Sequence, residues 1–69
     1  MKKNQAQQKT DHHIIPRSRG GDSSRKNICR VSRKEHELYH QIFSNKTPQE
    51  IIDYLVNTFW NGDREYIKS

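Results

Sequence analysis

All four histidines fall in two tight groups, His12-His13 and His36 with His40. A spacing of four on a helix projects His36 and His40 to one side, one turn apart, close enough to share an ion. Neutral imidazole is the commonest transition-metal ligand. A strand packed against that helix would bring His12 to the same point. Three histidine ligands leave coordination positions open, as a catalytic metal requires. His36-Glu37-Leu38-Tyr39-His40 is also a literal HExxH, the zinc metalloprotease signature, with Glu37 as general base. That chemistry needs a third ligand downstream, for which Glu65 is a distant candidate. It also needs a peptide cleft, for which 69 residues leave little room. It leaves His12-His13 without a role.

Few elements are available to position these side chains. Residues 1–10 are polar, Gln/Lys-rich and aperiodic, and read as a disordered head. His13-Ile14-Ile15, ended by Pro16, reads as a first short strand. A basic loop with a Gly20-Gly21 pair follows. Asn27 to Val31 alternates as a second strand, so the two can pair as a wide hairpin. Ser32-Arg33-Lys34-Glu35 is a capping-box pattern that starts a helix from Arg33 to about Ser44. On it His36, Tyr39, His40 and Phe43 share one face, with Leu38 and Ile42 on an adjacent stripe. Thr47-Pro48-Gln49-Glu50 is a second start signal, with Thr47 as N-cap and Pro48 at the first helical position. Ile51, Ile52, Leu55, Val56 and Phe59 then form an apolar face, and Asn61-Gly62 closes the element. This helix, residues 47–61, is expected to supply most of the core. The tail from Asp63 to Ser69 can fold back through Tyr66 and Ile67. The expected architecture is α+β, with residues 11–69 as a single domain.

Composition narrows the function. Only 29% of residues are hydrophobic, which is a small supply for a core in a chain this short. One cysteine excludes an intramolecular disulfide. A bound metal or a partner subunit is the remaining staple. No apolar run approaches a membrane span, and the N-terminus lacks the apolar region of a signal peptide. A single unpaired Cys29 fits a reducing cytoplasm. Thirteen Lys and Arg against eight Asp and Glu give a net charge of +5, which favours a polyanionic partner. Arg17, Arg19, Arg25 and Lys26 crowd the loop, and Arg30, Arg33 and Lys34 line the approach to the helix. As a group they suit phosphate contacts that give affinity without sequence reading.

His12-His13-Ile14-Ile15-Pro16-Arg17-Ser18-Arg19-Gly20-Gly21, then Asn27-Ile28, then His36 to His40, resembles the HNH endonuclease motif. The likeness is to its His-His form, as in colicin-type nuclease domains and many small bacterial and phage HNH proteins. The pattern HHxxPxSxGG, NI, HxxxH spans residues 11–40. The segment from Leu38 to Pro48, leading into a second helix, resembles the tail of small standalone HNH proteins. The resemblance implies a ββα-metal (His-Me finger) hairpin plus helix over 11–44, followed by a C-terminal amphipathic helix. It implies His13 as the general base that activates water, with His12, His36 and His40 as ligands of one divalent ion. Adjacent strand residues point to opposite faces, which agrees with separate roles for His12 and His13. It implies Asn27 as the asparagine that hydrogen-bonds the loop after the base and pins it. The implied activity is one-metal hydrolysis of DNA, leaving 3′-hydroxyl and 5′-phosphate ends. Imidazole ligands favour Zn²⁺, Ni²⁺ or Mn²⁺ over Mg²⁺.

The chain departs from larger members of that family. Cys29 alone cannot form the CxxC pairs of a structural zinc, and it reads as a small apolar strand residue. No separate DNA-reading module is evident. Two further readings stand beside the enzyme. One is a non-catalytic, metal-stapled module that binds nucleic acid or protein. The other is a component of a homodimer or larger nuclease assembly, which an apolar strip on the second helix could join.

Overall fold

The computed structural model describes residues 8–68. Strand β1 spans Lys9–His13 and β2 spans Ile28–Ser32, paired antiparallel with His12 opposite Cys29 and His13 opposite Ile28. Helix α1 (Arg33–Phe43) follows directly, then α2 (Pro48–Phe59) and a single short helix α3 (Glu65–Lys68). The architecture is thus a two-stranded hairpin followed by helices, an α+β fold of the ββα type. Among the described residues no helix is long and apolar enough to cross a membrane.

The first strand lies further toward the N-terminus than its β-branched residues suggest. Lys9 and Thr10, assigned by composition to the polar head, pair with Ser32 and Val31. Ile14 and Ile15 instead follow the strand. Their backbone is held by Asn27, whose carbonyl accepts from the Ile14 N–H at 2.8 Å. Pairing partners decided strand position here, and β-propensity did not. The remainder of the expected head, residues 1–7, lies outside the described residues.

The hairpin loop contains two one-turn 3₁₀ segments, Arg17–Arg19 and Arg25–Asn27. Gly20, at φ 95°, closes the first of them in a left-handed conformation that glycine adopts at low cost. Both helix starts follow the sequence signals. The Ser32 hydroxyl accepts from the Glu35 N–H at 3.1 Å. The Ser32 hydroxyl also donates to the Glu35 carboxylate at 3.0 Å. At α2 the capping box is complete, with Thr47 and Glu50 bonded to each other's backbone N–H. The helix ends at Phe59, earlier than the Asn61-Gly62 pair predicts. Trp60 and Gly62 both donate backbone N–H groups to the Val56 carbonyl, at 3.1 and 2.9 Å.

The core is thin. Val56 on α2 is the buried apolar residue among those described, at 1% exposure, whereas Phe59 is 64% exposed. A line of rings does much of the joining. His12 meets Tyr39 at 4.3 Å between centroids, Tyr39 meets Phe43 at 5.1 Å, and Phe43 meets Tyr54 at 6.1 Å. Edge-on aromatic contacts of this kind add about 1 kcal/mol each beyond area burial. They tie β1 to α1 and α1 to α2. Leu38 and Ile42, on the stripe beside the ring face, are exposed. Cys29, expected as an apolar strand residue, is also exposed.

Candidate metal centre and active-site groove

Period-two alternation along β1 turns Thr10 and His12 toward α1. Helical spacing on α1 turns His36 and His40 toward β1. Each of the three histidines offers one ring nitrogen, and these nitrogens all lie within 4.8 Å of one another. His36 Nε2 and His40 Nε2 are 3.0 Å apart.

The outer nitrogens of this pair are held by the protein. The Thr10 hydroxyl donates to the Val31 carbonyl at 3.3 Å, so its oxygen must accept the Nδ1–H of His36 at 2.8 Å. His40 Nδ1 lies 3.2 Å from the Ser44 carbonyl, which can only accept. Both rings therefore carry their hydrogen on Nδ1 and direct an Nε2 lone pair at the other. Lone pairs at that separation repel unless a proton or a cation lies between them. Burial and the neighbouring His40 both lower the His36 pKa, which disfavours the proton. Burial also lowers that of His12, with His36 and His40 adding to the effect.

His12 is 8% exposed, and its Nδ1 is buried without a hydrogen-bond partner. Leaving such a group unsatisfied costs about 1–3 kcal/mol. Tyr39 stacks edge-on against this ring and fixes its orientation. Three imidazoles, two with their far nitrogens held, fit a divalent ion: outer partners of this kind orient ligating histidines in metal sites generally. Tetrahedral ligation at about 2.0–2.1 Å per nitrogen separates neighbouring ligand atoms by roughly 3.3 Å, near the spacing of the His36–His40 pair. The three histidines can bind a metal ion.

His13 lies outside this ligand group yet lines a groove that His36 and His40 share. The groove encloses about 390 Å³ and is lined by His13, His36, His40, Asp11, Arg17 and Asn45, among others. The Ser23 hydroxyl lies 3.1 Å from His13 Nε2. Beside His13 the loop is pinned by Asn27, which is buried. Its side-chain oxygen accepts from the Ile15 N–H at 2.8 Å, and its amide donates to the carbonyls of Ile15 and Asp22 at 3.0 and 2.8 Å. Gly21 passes so close that a Cβ there would meet the Ile15 carbonyl and the Asn27 amide. The second glycine of the pair is therefore required by close approach rather than by backbone angle.

The basic residues separate into groups. Arg17 reaches the groove, and Arg25, Lys26, Arg33 and Lys34 are exposed. Arg30 lies 3.4 Å from Asp11. Arg19, expected beside them as a phosphate contact, makes a bidentate pair with Glu50 at 2.7 Å on each arm. A planar guanidinium matched to a carboxylate makes two parallel hydrogen bonds of this kind. Glu37, the base of the alternative HExxH reading, is exposed beside His36 and His40. The candidate metal group contains His12 and does not include Glu65.

Two residues of this site, Thr10 and Ser23, carry no sequence motif and are found only through their partners. A longer first strand would have brought Thr10 into view, since it lies two residues from His12 and so on the same face.

Over 44 residues the chain is 37% identical to the probable mobile endonuclease E of Enterobacteria phage T4. The match takes in 64% of this chain and 31% of that protein, so the chain spans about a third of the relative's length. No family model matches the chain, and no solved structure matches it.

Proposed function

We propose that this chain is a metal-dependent endonuclease of the HNH type, acting on DNA. The observation that carries the reading is the groove in which His13 adjoins two of the three clustered histidines. The likeness to a phage endonuclease supports the same chemistry. His12, His36 and His40 hold one divalent ion, with Zn²⁺, Ni²⁺ or Mn²⁺ favoured by the all-imidazole set. Bound there, it supplies Lewis-acid charge for a phosphate oxygen and the leaving 3′ oxygen.

The chain's own residues do the rest. His13 takes a proton from the attacking water, a task that imidazole suits near neutral pH. Ser23 orients its ring through Nε2. Asn27 holds the backbone of Ile15, two residues past the base, and so keeps His13 aimed into the groove. Arg17, Arg25, Lys26, Arg30, Arg33 and Lys34 contact phosphates on either side, with no base reading. Residues 11–69 act as one domain, with the ββα unit carrying the chemistry and α2 bracing it.

The test is a supercoiled-plasmid assay with Mg²⁺, Mn²⁺, Ni²⁺ or Zn²⁺, an EDTA control and His13→Ala. Metal-dependent nicking or linearisation that disappears in the variant, while metal still binds, supports the reading. No cleavage with any ion, in folded and metal-loaded protein, would leave a metal-stapled binding module as the better description.

A further inference from the structure

Glu50 lies on α2, outside the ββα unit, yet it is joined to the wall of the groove. Its carboxylate takes both arms of Arg19 at 2.7 Å. The same guanidinium donates to the Asn45 carbonyl at 3.2 Å. One carboxylate oxygen of Glu50 also accepts the Thr47 N–H at 3.0 Å, which fixes it to the start of the helix. Arg19 closes a tight turn, its N–H donating to the Pro16 carbonyl at 2.8 Å. That turn presents Pro16, Arg17 and Ser18 to the groove, and Asn45 enters it from the connection between α1 and α2. The Arg19–Glu50 pair therefore ties together two groove-lining segments that are far apart in sequence.

We infer that Glu50 is a positioning residue: by clamping Arg19 it fixes the separation between the 16–19 turn and Asn45, and hence the width of the groove beside His13. For its catalytic consequence this rests on the nuclease reading above. The pair is exposed, at 41% and 43% for the two side chains, and exposed pairs add little to global stability. Its effect is geometric. A bidentate fork restrains direction as well as distance, which a lysine at the same place cannot do. The clamp also removes Arg19 from the set of free cations, so Arg19 sets where phosphate can sit without holding it.

The experiment compares Glu50→Gln, Arg19→Lys and Thr47→Ala in the full chain. Thr47→Ala weakens the helix cap but keeps the clamp, so it controls for stability. Kinetics on a DNA duplex, metal titration and the salt dependence of DNA binding are read for each. The expected result is a fall in kcat of about tenfold for Glu50→Gln and Arg19→Lys, as misplacement by a fraction of an ångström can produce. Metal affinity stays unchanged, and Thr47→Ala keeps its kcat. If Arg19 were a phosphate contact, Glu50→Gln would free it, lowering KM and leaving kcat intact. That outcome overturns the proposal. Nitroxide labels on Ser18→Cys and Asn45→Cys, in a Cys29→Ser background, report the span directly. A narrow distance distribution should broaden with Glu50→Gln and not with Thr47→Ala. An unchanged distribution overturns the clamp even if the chain cuts no DNA, whereas loss of cleavage in the wild-type chain alone bears on the nuclease reading.

Discussion

Replacing Asn27 with alanine should be among the most damaging single changes outside the histidines. The side chain is buried and makes three hydrogen bonds, to the Ile15 N–H, the Ile15 carbonyl and the Asp22 carbonyl. Each such bond contributes about 1 kcal/mol net, and a donor left buried without a partner costs more. The amide also lies against Gly21, where a Cβ would come within 2.8 Å of its nitrogen. A loss of about 3 kcal/mol follows. For a domain of this size each kcal/mol moves Tm by about 4–8 °C, so Tm should fall by on the order of 15 °C. Circular dichroism of the metal-loaded protein measures this. None of the three bonds involves His12, His36 or His40, so metal stoichiometry should survive at low temperature. A Tm shift under about 4 °C, less than one hydrogen bond's worth, would show that the loop keeps its shape without Asn27. The account of how the groove is built would then be wrong.

Two other outcomes follow from the same structure. Adding Zn²⁺ or Ni²⁺ at a hundredfold over Kd should stabilise the fold by about 2.7 kcal/mol, because a thin core leaves metal binding linked to folding. Chelation should reverse this in a thermal melt, and His40→Ala should abolish it; equal melting with and without EDTA would sink the staple argument. Arg19 and the Thr47 backbone hold the Glu50 carboxyl down at about 2, from an ordinary 4.5. A depressed carboxylate stabilises the fold above its unfolded pKa and loses that contribution as pH falls toward the folded one. Glu50→Gln should therefore melt slightly below wild type at neutral pH, with the gap closing between about pH 4.5 and 2. A gap that persists at the acid end would assign the effect to helix capping by the side chain and not to the charge.

Much of the candidate site was legible because it depends on short periodicities. A spacing of four puts His36 and His40 on one helix face wherever the helix ends. Two start signals, at Ser32 and Thr47, fixed both long helices because a cap is a local hydrogen bond between residues three apart. The second strand was placed to within a residue by its alternation. The first strand was harder. Ile14 and Ile15 look more like strand residues than Lys9 and Thr10, and only the partner strand decides between them. That one displacement hid Thr10, and with it the hydrogen bond that sets the His36 tautomer.

Long-range polar pairing was invisible for a deeper reason. Nothing local distinguishes Arg19 from Arg17 or Arg25, since all three are loop arginines in a basic stretch. What separates them is a carboxylate 31 residues away. The consequence reaches the reading of function. Counted by composition, Arg19 adds to a surface that attracts phosphate. Placed in the fold, it is neutralised by Glu50 and acts as a strut between the loop and α2. The second helix then does more than supply Val56 to the core. It holds one side of the groove that His13 lines, so a ββα unit cut off before residue 47 would keep the three clustered histidines and lose the brace across that groove.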